Sequence, residues 1–499
     1  MPDCGDQNRS YFLANIKEDN GRVIKIGIDR ATPDQESDNS RSLTPDDDDT
    51  SSFETLSATW MEYIIGTIEM VPMLSLVAHE IHTQEVESNA KAYIQDRGNL
   101  LEEKIERLEN DDGELLEKIY ELPSSALGPL SAKLKSANRS LRIVRIHRSS
   151  QILSLISQYE AVFSDALRKA IGETPRAFIS KDSVIAATAV ILSEDIQSIK
   201  RQIVEEKVDK ISRNSHANQI EDIEKRLSLK PLSQALMLKF VEVCERRNLL
   251  THAGGVVNAR YLDNLKAKGY SCKDLPEIGQ AIPISTPYIM HAAETVALVG
   301  LFNIHRIWRK LRPAESATSS SHLINASHEF LIAEEYEIAK AIAKFILDDC
   351  ENVTESERAF AVINLSLSFF LDESIPPDKR REKTEDALSL RDWSILDGKF
   401  ALAICCLREE YDKLPARIDG AVRDEIGAEQ FETWALFKQV RKLDLFRHKM
   451  AEHFGEDSAD VICLNVGTSV LEHETVVHES PSDETKNSVS SQKNDKAQS

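Results

Sequence analysis

Apolar residues recur at three- and four-residue intervals along most of the chain. Leu100, Leu101, Ile105 and Leu108, then Leu115, Leu116, Ile119 and Leu122, do so with Glu, Lys and Arg between them, as one face of an amphipathic helix requires. Asn110-Asp111-Asp112-Gly113 interrupts the run, so residues 53–129 read as an N-terminal helical region containing a helical hairpin. Further helices are expected over residues 136–171 and 183–208, with Gly172-Glu173-Thr174-Pro175 between them, over 231–251 ahead of Gly254-Gly255, and over 288–312. After the polar run 316–321, residues 323–455 read as successive amphipathic helices at 330–347, 355–371, 383–388, 400–414 and 431–453. Sheet signals are sparse. Residues 22–28 alternate after Asp19-Asn20-Gly21, enough for one short strand or a hairpin.

Composition sharpens this picture. The 499 residues amount to about two to four domains. The low content of glycine (18) and proline (16) argues against turn-dense sandwiches and barrels. The expected class is all-α. A 41% hydrophobic content suffices for packed cores, so disorder is expected only locally: in the acidic segment 1–52, where four consecutive aspartates repel one another, and in the polar tail 472–499. Between them lie the helical region 53–129, a middle domain 130–312 and a C-terminal domain 323–455. The C-terminal helices could stack as hairpins of the tetratricopeptide kind, although no fixed-period repeat is present. The seven scattered cysteines include no C-x-x-C pair, so neither a disulfide framework nor a zinc module is indicated, and a reducing cytoplasm is the expected compartment. Residues 1–19 lack the pattern of a secretory signal. The apolar run 63–78 carries Glu69 and Pro72 and is short for a membrane span; it reads as a buried helix pair or a kinked helix, and no membrane partner is expected.

The segment with chemistry in it is FVEVCERRNLLTHAGGVVNARYL, residues 240–262. It contains Arg247-Asn248-Leu249-Leu250-Thr251-His252, an arginine, a polar residue, three more positions and a histidine. This resembles the R-x4-6-H motif of the HEPN superfamily, and Gly254-Gly255-Val256-Val257-Asn258 with Tyr261-Leu262 is similar to one branch of it. Residues 157–167, SQYEAVFSDAL, resemble the first long helix of such domains. The resemblance covers residues 130–312. Ala253 departs from it, since an asparagine often follows the histidine in that branch.

The resemblance implies a HEPN-like helical bundle in the middle of the chain and a homodimeric, metal-independent endoribonuclease, in a toxin or antiviral setting. Helical geometry makes a partner chain intelligible. At about 100° per residue, positions five apart point about 140° away from each other, so Arg247 and His252 do not share a face. An isologous interface brings each residue close to its copy and lets both pairs converge. A neutral imidazole of His252 can take the ribose 2′-hydroxyl proton and an imidazolium can protonate the leaving 5′-oxygen. The fork of Arg247 would hold the scissile phosphate, and Asn248 would orient either group. The products would be a 2′,3′-cyclic phosphate and a 5′-hydroxyl.

Neighbouring residues have two readings each. Arg246 is a solvated or a phosphate-touching cation. Gly254 and Gly255 permit left-handed backbone at a helix end or cradle phosphate. Asn258 and Tyr261 fix the following loop or touch substrate, and Glu160 is an auxiliary acid or a surface glutamate. Lys133, Lys135, Arg139, Arg142, Arg145 and Arg148 occur without an acidic residue among them, the last four spaced by three. That stripe either tracks an RNA backbone or is a solvated face paired with acidic residues 102–114. A formal net charge of −22 means that any RNA contact must be such a local cationic surface. No Walker loop, G-x-G-x-x-G, H-E-x-x-H or G-x-S-x-G motif is present, and His79 with His82 lack further ligands nearby; no cofactor or metal is expected. The competing functional class is a non-catalytic scaffold, in which the HEPN-like unit dimerises or binds RNA and the C-terminal helices recruit a protein partner.

Overall fold

The computed structural model describes residues 11–19, 22–31, 52–83, 89–107, 114–180, 184, 190–191, 195–394, 398–423 and 426–464. The four-aspartate run and the tail 472–499 lie outside them. The chain divides after Thr50 into two units. In the first, β1 (Tyr11–Asp19) pairs antiparallel with β2 (Arg22–Ala31), with a register shift at Lys17/Glu18, so the alternating segment is one arm of a hairpin.

Among its described residues the second unit is helical apart from one further hairpin and an isolated bridge between Val256 and Ala281. In chain order its helices are α1 (Phe53–Thr83), α2 (Ala92–Arg97), α3 (Leu127–Glu173), α4 (Pro175–Phe178), α5 (Ile196–Ser212), α6 (His216–Leu227), α7 (Gln234–Ala253), α8 (Ala259–Ala267) and α9 (Thr286–Leu311). There follow α10 (Ser316–Ile332), α11 (Tyr336–Asp349), α12 (Glu355–Phe370), α13 (Pro377–Leu388), α14 (Gly398–Leu407), α15 (Leu414–Arg423), α16 (Ala428–Thr433), α17 (Asp444–Phe454) and α18 (Glu456–Leu464). The all-α class holds.

Residues 99–121 correct one expectation. They form strands β3 (Asn99–Arg107) and β4 (Glu114–Glu121), an antiparallel pair rather than a helical hairpin. The physical reason is that a four-residue spacing, as between Leu115 and Ile119, shares a face in a strand as well as in a helix. The register sets Glu103 opposite Lys118, Lys104 opposite Glu117 and Arg107 opposite Glu114. A second correction concerns residues 316–321, expected as a polar break. They open α10, with Ser316, Ser319 and Ser320 buried. The helix expected over 330–347 is two helices, because Glu334 takes a left-handed φ of 61° between α10 and α11.

The core runs through α1, α3, α7 and α9. One stripe of α1, Phe53, Leu56, Trp60, Ile64, Ile68 and Val71, is buried at helical spacing and packs against α3 and α9. This helix is the one among the described residues that is long and apolar enough to cross a membrane, over Phe53–Ala78, by length and composition. Trp60 fixes its seating. The indole N–H donates to the Ala297 carbonyl at 3.1 Å, and the ring lies where a Cβ on Gly300 would sit, 2.5 Å from it. Beside it, buried His305 bridges Ser57 on α1 (3.0 Å) and Ser319 on α10 (2.8 Å). Further along the chain, consecutive helices pair in succession: α10 with α11, α11 with α12, α12 with α13, and α14 with α15.

Helix α3 carries much of the candidate site. Its 47 residues extend about 70 Å at 1.5 Å per residue. The second half is buried at Ile152, Leu155, Ile156, Tyr159, Phe163 and Leu167. In the first half Leu134, Ile143 and Ile146 stay exposed. It stops where Thr174 bonds back to Ala170 and Pro175 follows.

Candidate functional site

Helix α7 begins with Ser233 as N-cap, its hydroxyl accepting from Leu236 N at 3.3 Å. It ends at Gly254 and Gly255, whose φ values of +58° and +77° are the left-handed conformation that glycine adopts without strain. The Gly255 N–H closes the helix on the Leu249 carbonyl at 3.1 Å. Val257 is buried and exchanges backbone hydrogen bonds with Gln280 and Gly279, and the Asn258 side chain accepts from Tyr261 N at 3.0 Å to cap α8. The segment after the histidine is thereby accounted for as helix stop, buried anchor and helix start. Asn258 fixes the loop.

Arg247 projects from α7 toward α3. Its guanidinium donates to both carboxylate oxygens of Glu160, at 2.8 and 3.1 Å, and to Oδ1 of the adjacent Asn248 at 3.2 Å. Glu160 also meets Nε2 of His216, at the start of α6, at 2.9 Å. The His216 hydrogen bond and the charge of Arg247 hold the Glu160 carboxyl below its ordinary value, against the opposing effect of partial burial. Arg247, Asn248 and Glu160 are therefore brought together, with Glu160 as the residue that orients Arg247. His216 was not legible in the sequence. Ser215 marks a helix start there, but the contact with Glu160, 56 residues away, is made by the packing of α3 on α6 and α7.

His252 sits in the last turn of α7 and is exposed. Among the described residues no hydrogen bond joins it to Arg247. The two motif residues point apart, as their five-residue spacing requires, so one chain presents a held arginine and a free imidazole on different sides of the helix.

Two expectations are corrected. Arg246, expected as a cation at the RNA surface, is buried: it bonds Glu242 through Nε at 2.8 Å, donates to the Pro283 carbonyl at 2.8 Å, and stacks 3.6 Å from the centre of the Tyr288 ring. Tyr261, considered for substrate contact, is buried with its hydroxyl donating to the same Glu242 at 3.0 Å. Tyr288 supplies a third donor to that carboxylate at 2.8 Å. Positions 242 and 246 share an α7 face turned into the core, and the next residue, Arg247, is rotated about 100° away from it.

Chain comparisons add no relative. No protein-family model, curated protein or solved structure matches this sequence or fold.

The basic stripe lies on the exposed half of α3. Arg139, Arg142 and Arg145 are exposed and Arg148 is half-buried. None of the four forms an ion pair among the described residues. The Arg145 guanidinium lies 3.4 Å from where a Cβ on Gly255 would be. The stripe thus starts beside the glycines that close α7, three residues past His252, and runs toward the beginning of α3.

Proposed function

We propose that this chain is a metal-independent endoribonuclease of HEPN type, acting as a homodimer whose two Arg247/His252 pairs form one composite site. The observation that carries the reading is the pre-set arginine: Arg247 is oriented by Glu160 and Asn248 while the imidazole of His252 is exposed in the last turn of the same helix, and the stripe of Arg139, Arg142 and Arg145, unpaired with acids among the described residues, reaches the helix end through Arg145. In the composite site one His252 takes the 2′-hydroxyl proton. The 2′-oxygen forms its bond to phosphorus as the bond to the 5′-oxygen breaks, and a second imidazole, protonated, supplies the proton to that leaving oxygen. Arg247 offsets the charge on the phosphate oxygens, and Arg139, Arg142 and Arg145 hold the flanking strand.

Incubating the purified full chain with mixed RNA and EDTA, beside Arg247→Ala and His252→Ala variants, tests this. Cleavage by the parent and loss in both variants is the expected result. Cleavage persisting in either variant would refute the site. A scaffold that dimerises or binds RNA without cutting is the second reading, and one observation favours it: both oxygens of Glu160 already engage Arg247, so a phosphate must displace or share that carboxylate. Absence of cleavage by the parent on every RNA tried would select the scaffold.

A further inference from the structure

At the opposite end of α7 from His252, a cleft of 860 Å³ opens between the start of that helix, α9 and α11. Its volume falls in the range of small-molecule sites, about 300–1,000 Å³. The lining is cationic in a chain that is otherwise strongly acidic, with five lysines and arginines against three acids. Two of the cations are balanced locally, Lys230 by Asp349 and Arg306 by Glu224. Three are not. Lys310 and Lys344 are exposed and form no ion pair among the described residues. Among the described residues Arg309 donates only to uncharged oxygens, the Ser316 and Glu351 carbonyls and the Ser320 hydroxyl.

Two further features favour an anion. The Ser233 end of α7 lines the cleft, and a helix start presents free N–H groups and the positive end of the dipole. Arg306 also lines it. Its side chain is only 9% exposed and is paired with Glu224 at 2.8 Å, so the wall carries a largely desolvated cation. The remaining wall is apolar. Phe302 and Phe345 stack with centroids 4.1 Å apart, and both line the cleft together with Leu236 and Leu298.

We propose that this cleft binds a nucleotide-sized organic phosphate, its phosphates on Arg309, Lys310 and Lys344 and its ring system against the Phe302/Phe345 wall. The site is separate from the Arg247 cluster, because about 20 Å of helix lies between Ser233 and Arg247. It rests on the cleft alone and stands or falls independently of ribonuclease activity. Binding is the claim, with no covalent step.

The test is titration calorimetry on the full chain with three probes: ATP, inorganic pyrophosphate and adenosine. ATP is expected to bind with a sub-millimolar constant, pyrophosphate more weakly, and adenosine weakest, since each lacks half of the contacts. Lys310→Glu with Lys344→Glu is expected to weaken ATP by at least about tenfold, and exposed Lys379→Glu on α13, outside the cleft, to leave it within about twofold. Should the double charge reversal lower the unfolding midpoint, Lys310→Gln with Lys344→Gln replaces it, with the same direction of effect. No ATP binding up to about 5 mM, unchanged affinity in the cleft variants, or pyrophosphate binding as tightly as ATP would each overturn the proposal.

Discussion

Replacing Glu160 by Gln keeps the shape of the side chain and removes the charge that Arg247 and His216 share. Arg247 reaches both carboxylate oxygens, at 2.8 and 3.1 Å, and His216 reaches one at 2.9 Å. Side-chain exposure is 37% for Glu160, 22% for Arg247 and 10% for His216. The pair lies between an exposed one, worth about 0.2–1 kcal/mol, and a buried one, where removing a partner costs about 3–5 kcal/mol. With the carboxylate more than a third exposed, solvent screening draws the value toward the lower class, and the expected coupling between Glu160 and Arg247 is about 1–2 kcal/mol. Urea unfolding of the parent, Glu160→Gln, Arg247→Ala and the double variant closes the cycle. The pH dependence has a definite sign. His216 and Arg247 lower the folded-state pKa of Glu160 below its ordinary 4.5, so its stabilisation is complete above that value and is lost as pH falls through the lower folded value. The coupling should therefore be full at about pH 7 and shrink only as pH falls below 4.5 toward the lowered folded-state value of Glu160. A coupling under about 0.3 kcal/mol at neutral pH, or one that acid leaves unchanged, would refute the argument that Glu160 holds Arg247.

Arg246→Ala should behave unlike its neighbour. It leaves Glu242, whose side chain is 5% exposed, buried without its cation; two tyrosine donors remain, so a loss of about 3 kcal/mol is expected by chemical unfolding, whereas Arg247→Ala stays folded with a smaller loss. Gly300→Ala would put a Cβ 2.5 Å from the Trp60 ring, an overpacking cost of about 1–3 kcal/mol, read as a lowered midpoint and a shift in tryptophan emission. Burial, with the charges of His322 and Arg309 adding to it, holds His305 down at about 3, so the unfolded chain takes up a proton that the folded one refuses. Its share of stability is complete above about pH 6.5 and declines below, by about 2 kcal/mol at pH 5. Unfolding measured across pH 7.5 to 5 should show this slope, and His305→Gln should flatten it.

Much of the helical plan was legible because long apolar stripes have one reading. The helix expected over 288–312 is α9 (Thr286–Leu311), and that over 231–251 is α7 (Gln234–Ala253). Failures came where one spacing suits two structures. The four-residue spacing of Leu115 and Ile119 fits strand and helix alike, and in sequence Asp112-Gly113 is a hairpin signal as well as a helix break. The burial of the serines that open α10 depends on partners a polar run does not reveal, as when His305 meets Ser319. At the candidate site, local rules accounted for Gly254, Gly255 and Asn258. The division of labour between the adjacent arginines did not follow from sequence, since it depends on which face of α7 meets the Tyr261/Tyr288 side and which meets α3. His216 and the cationic cleft are likewise products of tertiary packing.

The central claim is that Arg247 and His252 direct 2′-hydroxyl attack on RNA. Its most direct test is the end chemistry of fragments released by the full chain in EDTA, compared between the parent and His252→Ala on RNA and on DNA of the same sequence. The account predicts 2′,3′-cyclic phosphate and 5′-hydroxyl termini from RNA with the parent, none with His252→Ala, and intact DNA. Fragments carrying 5′-phosphate, cleavage of the DNA, or equal release by the variant would contradict it.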